Sequence, residues 1–332
     1  MISFLENITA IRPWLSPMVC GEVQLALLHK AAEMVPYLPT GALEFRLDGI
    51  DMDVDFGALA VYERNEFELI LRFYEEQEHI DSLEWRNEIQ TIYGFLRQKI
   101  LLPNTLKNCW ISFDLSSNNG IRPYIFFGMG RFPRNPSIKL ITCETILSAQ
   151  GKELTDEESD LLFLLLSHLP KKSTSFLTFI GDLSSRGKQL IRTTFFWEGD
   201  FNSFMDYLDL VQWEGDIHLY HTLLENLFEL SVFTQFTLDF STKLERSISI
   251  ECWPGEEENA IRSAAMFDLL IAQNLCMEEK KKPHLEWIGE STQGQRLVKR
   301  RINHVKLTFK NDNSVVSKVY YAFSNHLQNK SH

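Results

Sequence analysis

The sequence predicts an α/β protein, a ten-stranded antiparallel barrel of repeated helix–hairpin units with the helices outside. Alternation of apolar and polar residues marks extended segments, and these segments come in pairs. Helical patterns fall between the pairs, and the unit repeats five times along the 332 residues. Closure of the sheet would remove its exposed edges. We therefore expect residues 1–332 to form a single repeat-built barrel domain.

The strand pairs are predicted from alternation and from turn-forming residues between the two strands. In the first region, residues 41–49 form one strand, Gly49–Glu63 an irregular insert and residues 67–74 the return strand. The later pairs occupy residues 109–128, 175–198, 233–255 and 302–323. Asn, Asp, Ser and Gly at residues 116–120 and 311–313 suit hairpin loops.

The helices are predicted from apolar residues at helical spacing between these pairs. Thr155 and Glu158 have the form of a capping box at the start of one of them. The predicted helical segments are Glu22–Met34, Ile80–Ile100, Leu161–Leu169, one or two helices within Phe201–Leu230, and Ala260–Cys276.

Composition and charge narrow the range of partners and compartments. A net charge of -12 argues against nucleic acid and anionic membranes as partners. The longest apolar stretch, Leu161–Leu166, is too short for a membrane span, and no signal peptide is evident. Five scattered cysteines without a CxxC pair favour neither a disulfide framework nor a zinc site. We therefore expect a cytoplasmic protein, and its oligomeric state stays open.

A basic residue followed two positions later by a hydroxyl residue recurs on the predicted return strands. Because side chains alternate across a strand, both members of each pair share the less apolar face. That face is either a solvated outer surface or the lining of a barrel lumen. In a lumen, converging cations would need an anion such as phosphate. The pairs are Arg72 with Tyr74, Arg122 with Tyr124, Arg192 with Thr194, and Lys318 with Tyr320.

These pairs resemble those of aromatic prenyltransferases of the ABBA barrel type, which place Lys-x-Tyr or Arg-x-Tyr pairs on lumen strands. The resemblance implies transfer of an isoprenyl group from its diphosphate to an aromatic acceptor, either a small molecule or a peptide. It implies that Arg72, Arg122, Arg192 and Lys318 bind the diphosphate, and that Tyr74, Tyr124 and Tyr320 shield the allylic cation. Lys188 and Lys306 are possible additional ligands. Glu44, on the first lumen strand, is the implied base.

The fourth strand pair departs from this pattern, because it has Ser249 and Glu251 at the corresponding places. A second hypothesis is therefore a non-catalytic accessory protein of a natural-product pathway that binds a peptide or another ligand. The prenyl-transfer hypothesis requires no cofactor, with Mg²⁺ possible. The run of aspartates at residues 51–55 lacks the glycine and the final glutamate of a calcium loop, so we interpret it as an acidic, solvated strand face.

Overall fold

A computed structural model describes residues 3–49, 54–76, 106–115, 122–129, 135–170, 175–184 and 187–327 of the chain. Within these ranges, ten strands close into an antiparallel barrel, accompanied by one short extra strand and nine α-helices. The predicted fold class is therefore confirmed. The predicted helix Ile80–Ile100 and the turn at 116–120 lie outside the described residues.

The barrel is assembled from successive hairpins. Strands follow one another in chain order from β1 to β8, and β10 and β11 complete the ring by pairing with β8 and β1. The short β9 pairs with Arg296–Arg300 of β10 as an extension of the sheet. The strands are β1 (Thr40–Arg46), β2 (Val54–Val61), β3 (Leu106–Asp114), β4 (Arg122–Met129), β5 (Phe176–Asp182), β6 (Ile191–Trp197), β7 (Phe233–Phe240), β8 (Leu244–Trp253), β9 (Gly289–Gln293), β10 (Arg296–Phe309) and β11 (Val315–Leu327).

The helices lie between the hairpins, and several begin at the capping residues that their sequences supply. The capping box of Thr155 and Glu158 is formed, and the Asp200 side chain accepts a hydrogen bond from the Ser203 N–H. The helices are α1 (Leu5–Ile11), α2 (Glu22–Glu33), α3 (Glu66–Glu76), α4 (Pro136–Ala149), α5 (Asp156–Ser167), α6 (Phe201–Leu210), α7 (His221–Leu230), α8 (Asn259–Ala272) and α9 (Glu278–Glu286). In the part of the chain that the structure describes, no helix is long and apolar enough to cross a bilayer.

The first strand pair differs from the prediction. Its return strand is β2, within the predicted irregular insert, and the predicted strand at 67–74 is wrong because these residues belong to α3. Phe67, Ile70 and Leu71 are buried on one face of this helix. The Glu66 carboxylate accepts a hydrogen bond from the Val61 N–H at 2.6 Å, which fixes the chain where β2 leads into α3. The apolar residues of this segment fit both the two-residue repeat of a strand and the 3.6-residue repeat of a helix, so the sequence pattern did not distinguish them.

The two faces of the barrel wall have different environments. The apolar face packs against the helices. For example, the rings of Phe195 and Phe236 stack at 5.0 Å and contact Tyr207 of α6. On the same apolar face, at another part of the ring, Tyr321 of β11 stacks on Trp287, the residue that follows α9, with 4.4 Å between the ring centres. The less apolar face lines the lumen. Of the two interpretations that the sequence left open, a solvated outer surface or a lumen lining, the second is therefore correct.

The pairings around the ring differ greatly in length. Strands β10 and β11 pair along almost their whole lengths, from Arg296 to Phe309. Among the described residues, β4 and β5 share two pairs, Phe127 with Ile180 and Gly128 with Phe179. We call this short junction the β4–β5 seam.

Candidate functional site

The lumen encloses a cavity of about 840 Å³. This volume is in the range of sites that hold small organic ligands. Every strand of the ten-stranded ring contributes at least one lining residue. Most charged lining residues lie toward the end of the barrel at which turns join β7 to β8 and β10 to β11. Aromatic lining residues are spread along the strands, from Tyr124 near that end to Trp253 at the opposite end.

Six of the residues selected from the sequence line this cavity, and they come from strands distributed around the ring. Because they occupy the inward-facing positions of their strands, the alternation of side chains brings them together. They are Glu44, Tyr124, Arg192, Lys306, Lys318 and Tyr320.

The other four selected residues are not shown in the lumen. Arg72 is exposed on α3 because the predicted strand is a helix, so its expected place on a lumen strand is wrong. Tyr74 shares that helix, and its side chain lies outside the described part. Lys188 is exposed in the turn between β5 and β6 instead of on a strand that faces inward. Arg122 begins β4 in register with Asp114, but its side chain is also outside the described part.

Glu44 is held by a lysine on the neighbouring strand. The Lys318 ammonium group donates a hydrogen bond to its carboxylate and lies 3.9 Å from Asp55. Burial alone would raise the pKa of Glu44. The positive charges of Lys318 and Lys306, with hydrogen bonds from Lys318 and Tyr320, outweigh burial and lower this pKa to about 2. Glu44 is therefore an ionised carboxylate throughout the physiological pH range.

Asp55 lies between two other carboxylates. In the strand register it is opposite Glu44 on β1 and opposite Asp114 on β3. Burial, together with the negative charges of Glu44 and Asp114, raises the pKa of Asp55 to about 7, although Lys318 acts in the opposite direction. The Leu115 N–H also donates a hydrogen bond to Asp55 at 3.2 Å. Asp55 therefore gains or loses a proton near neutral pH.

A second ion pair joins β10 to β8. Lys306 Nζ lies 3.0 Å from Glu251 Oε1, and Nε2 of His304 lies 3.7 Å from the other carboxylate oxygen. Burial opposes ionisation of Glu251, but Lys306 and His304 lower its pKa below the usual value. Burial also lowers the pKa of His304, to about 4, although Glu251 acts in the opposite direction. His304 is therefore neutral at pH 7.

A β-bulge directs two consecutive residues of β10 into the lumen. The register between β10 and β11 shifts between Ile302 and His304, which leaves Asn303 as the extra residue. Asn303 and His304 both line the cavity, although neighbours in a regular strand face opposite sides. The Asn303 amide donates to His304 Nδ1 at 3.2 Å, which assigns the ring hydrogen to Nε2. Nε2 is buried without a hydrogen-bond partner within the described structure.

Arg192 on β6 forms the third ion pair of the lumen. Its Nε and terminal nitrogen donate to the two oxygens of Asp239 on β7, both at 2.8 Å. This fork-like geometry is the strongest form of an arginine–carboxylate pair. Thr194, the next inward-facing residue of β6, shares a hydrogen bond of 2.9 Å with Thr237. Arg192 is consequently fixed in place and lies 6.0 Å from the ring centre of Phe126.

Aromatic rings form a continuous series across the lumen wall. Consecutive ring centres are 4.0 to 5.3 Å apart, close enough for direct stacking or tilted contact. Such ring faces can stabilise a carbocation and exclude water. The series runs through Phe176, Phe196, Phe233, Trp253, His304 and Tyr320.

Sequence reasoning missed the acidic half of the lumen. The alternation around Asp55 was visible, but its face was assigned to solvent, whereas Asp55 lines the cavity. From the sequence, Asp239 and Glu251 were not expected to pair with lumen cations. They are instead buried partners of Arg192 and Lys306. The contribution of Asn303 and His304 had no sequence signal, because the bulge is a feature of strand pairing.

Comparison with known proteins identifies the fold. No protein-family model and no curated protein sequence matches the chain. Solved structures do: AnaPT from Neosartorya fischeri aligns with a TM-score of 0.60 and 11% identity over 95% of this chain and 93% of that one. NotF in complex with brevianamide F and DMSPP gives a TM-score of 0.56 and 12% identity over 94% and 92%. The 5-dimethylallyltryptophan synthase from Streptomyces coelicolor gives 0.50 and 11% over 96% and 97%. The chain therefore has the ABBA barrel fold of the aromatic prenyltransferases.

Proposed function

We propose that the protein is an aromatic prenyltransferase that moves an isoprenyl group from its diphosphate to an aromatic small molecule or peptide. The observation that carries the proposal is the convergence of Lys318, Lys306 and Arg192 with aromatic rings in one lumen cavity. Supporting it, NotF, which shares this fold, was solved in complex with brevianamide F and DMSPP. The five cysteines are buried and form no disulfide, which suits a reducing compartment, and we assign the reaction to the cytoplasm.

The proposed reaction begins when the allylic C–O bond breaks and its electron pair leaves with the diphosphate. Cationic side chains stabilise the leaving group, and Lys318 has three N–H donors with which to contact phosphate while retaining Glu44. The allylic cation then lies against ring faces, for which Tyr124, Tyr320 and Trp253 are candidates. The aromatic acceptor supplies the electron pair of the new bond and afterwards loses a proton.

Glu44 is the proposed acceptor of that proton. Its carboxylate is ionised at neutral pH and is held by Lys318 and Tyr320. A carboxylate with such a low pKa is a weak base, but the cationic intermediate formed by attack on a carbocation is a strong acid. The position of the carboxylate therefore matters more than its basicity. His304, neutral and buried in the same lumen, is a second group close to this region.

The proposal requires no metal. In the described ranges, no group of three or more His, Cys, Asp or Glu side chains has a metal-binding arrangement. Magnesium carried into the lumen by a diphosphate remains compatible with the reaction, and it would be held mainly by phosphate oxygens.

Titration with an isoprenyl diphosphate tests the proposal. We expect micromolar binding by the wild-type protein and binding that is about tenfold to a hundredfold weaker in Lys318→Met, through loss of a charge-assisted contact. Lys188→Met is the matched control, because this lysine is exposed outside the lumen. Product formation with an aromatic acceptor completes the test. Absence of diphosphate binding by folded wild-type protein would exclude the proposed function.

The ion pairing of the lumen favours a second candidate, a non-catalytic protein that binds a peptide or another ligand. Each of Lys318, Lys306 and Arg192 already has a carboxylate partner. A diphosphate must compete with these partners, whereas a ligand of mixed charge need not. Binding of a peptide with no diphosphate affinity and no turnover would support this candidate.

A further inference from the structure

The side chain of Gln150 joins the two strands of the β4–β5 seam. Its Nε2 donates to the Ile125 carbonyl of β4 at 3.3 Å, and its Oε1 accepts from the Asp182 N–H of β5 at 3.0 Å. The register of the seam, continued by two residues, would place Ile125 opposite Asp182. The carboxamide therefore lies where a direct hydrogen bond between the two backbones would otherwise form. We call this inserted carboxamide the glutamine bridge.

The end of helix α4 fixes the position of the glutamine bridge. Gln150 is the C-cap of α4, and Gly151 follows with a φ of 80°, which glycine adopts without strain. The Gly151 N–H donates to the Ser148 carbonyl and the Lys152 N–H to the Leu147 carbonyl, both at 2.9 Å, as in a Schellman motif. The backbone from which the amide projects is therefore rigid, and the bridge is a fixed part of the wall.

The inserted amide lengthens the connection between the two strands. One hydrogen bond of about 2.9 Å is replaced by two such bonds and the width of a carboxamide, which adds up to about 5 Å, or one inter-strand spacing. A tilted ring of ten strands measures roughly 50 to 60 Å around, so the circumference at this level increases by up to about a tenth. The barrel is therefore wider here than a direct ladder would make it.

The lumen face of the same stretch suits an aromatic ligand. Tyr124 and Phe126 of β4 line the cavity with their ring centres 5.2 Å apart, and the Arg192 guanidinium lies 6.0 Å from the centre of the Phe126 ring. Gly181 of β5 adds no side chain here, and a carbon placed on it would lie 2.9 Å from the Phe126 ring. The additional width therefore falls beside ring faces and a cation, which are surfaces on which an aromatic group stacks.

We propose that Gln150 is a positioning residue that holds β4 and β5 apart, so that the lumen admits a bulky aromatic acceptor such as an aromatic residue within a peptide. The inference rests on the proposed function where it names the acceptor, whereas the spacing of the strands does not depend on that function. Without the amide, the Asp182 N–H donates directly to the Ile125 carbonyl, the ladder lengthens, and this end of the lumen contracts.

Disulfide trapping measures the spacing of the strands. With Ile125→Cys and Asp182→Cys, the glutamine bridge should keep the two Cα atoms beyond the roughly 7 Å that a disulfide tolerates. We expect little cross-linking in this double variant and ready cross-linking when Gln150→Ala is added. The matched control is Gln273→Ala, because Gln273 is also a helix C-cap, on α8, and is exposed. With Gln273→Ala in place of Gln150→Ala, cross-linking should remain low.

Hydrogen exchange at Asp182 gives a second measurement that needs no cysteine variant. In Gln150→Ala, the Asp182 N–H should keep its protection to within about tenfold, because the Ile125 carbonyl replaces the glutamine as its acceptor. Rapid exchange of this N–H would show that loss of the glutamine opens the wall instead of closing it, and would overturn the proposal.

Two aromatic ligands of different bulk test the consequence for the choice of acceptor. N-acetyl-tryptophan methylamide and a hexapeptide with one central tryptophan carry the same ring, and both are titrated with inorganic pyrophosphate present. Gln150→Ala should weaken binding of the hexapeptide about tenfold to a hundredfold more than binding of the small ligand. A general loss of stability would weaken both ligands alike, and Gln273→Ala should change neither affinity.

The outcomes separate this inference from the proposed function. Cross-linking between positions 125 and 182 that does not depend on Gln150 would overturn the spacing role. The expected cross-linking with an unchanged ratio of the two affinities would overturn the role in acceptor choice. If neither aromatic ligand binds, that role is excluded together with acceptor binding by the lumen, while cross-linking and hydrogen exchange still decide the spacing role.

Discussion

Lys306 and Glu251 face each other in register on β10 and β8, with 3.0 Å between Nζ and Oε1. Corresponding pairs join Lys318 to Glu44 and Arg192 to Asp239. The lumen cations are thus ordered before any ligand enters, which lowers the entropic cost of binding. Their carboxylate partners also compete with an incoming phosphate, and this competition can be measured.

Glu251→Gln should increase the affinity for an isoprenyl diphosphate about threefold to tenfold. The amide keeps the shape of the side chain but removes the negative charge that competes for Lys306. Titration of the two proteins in parallel measures the change. Glu229→Gln, an exposed position on α7, serves as the control. Weaker diphosphate binding by Glu251→Gln would contradict this role.

Glu44→Gln should lower kcat by about a hundredfold to ten-thousandfold, the range typical of a lost general base. Diphosphate affinity should rise about as much as in Glu251→Gln, because the variant removes the negative charge that competes for Lys318 and leaves the lysine in place. Single-turnover kinetics and a diphosphate titration separate the two effects. If product forms at the wild-type rate, Glu44 is not the base.

Asp55 should make the protein less stable as the pH rises from about 4 to about 7. Burial raises its folded-state pKa from 3.8 to about 7, so the folded state retains a proton that the unfolded state has lost. This contribution is complete below the unfolded pKa and is lost as the pH rises through the folded value. Asp55→Asn should therefore be more stable than wild type by about 1–2 kcal/mol at pH 8, with no gain at pH 4.

Urea unfolding at the two pH values measures the difference. The pH 4 comparison is the internal control, since an amide and a protonated carboxyl group are nearly equivalent. An equal gain at pH 4 and pH 8 would show that packing, and not the charge of Asp55, causes the change.

Tyr321→Phe should destabilise the protein by about 1–2 kcal/mol, the cost of a lost buried hydrogen bond. Tyr321 and His284 Nδ1 are 2.7 Å apart behind the barrel wall. Burial lowers the pKa of His284 to about 3, so the imidazole is neutral and keeps the unmet hydrogen-bonding capacity after the substitution. Because this pair lies outside the lumen, diphosphate affinity should not change. A change in affinity would mean that the wall transmits the packing defect to the lumen.

The strand pairs after the first could be predicted because alternation and turn residues agreed along each of them. At residues 67–74 the apolar residues fit both periods, and only the packing of Phe67 and Ile70 decides for a helix. The same limit applied to Arg72, whose expected position depended on that strand. Local sequence therefore determined most of the wall but could not decide this ambiguous segment.

For the site, inward-facing positions could be predicted, but the partners across strands could not. The alternation of side chains along each strand was enough to predict that Arg192 and Lys306 face inward. Their pairing with Asp239 and Glu251 depends on the register between different strands, which alternation does not determine. Similarly, one extra residue at Asn303 changes which side chains face inward after it. Register is defined between neighbouring strands of the closed ring, so it cannot be predicted from the sequence of one strand alone.

The β4–β5 seam makes the ring mechanically uneven. A closed barrel can expand only if the hydrogen bonds between two neighbouring strands break. The strand pair with the fewest bonds therefore sets its resistance to expansion. In the described part of the chain, this joint is held by the pairs of Phe127 with Ile180 and Gly128 with Phe179. Parting them sacrifices few backbone hydrogen bonds and leaves the long β10–β11 ladder intact. We therefore expect the ring to widen first at this seam when a bulky ligand enters, while the remaining wall stays folded.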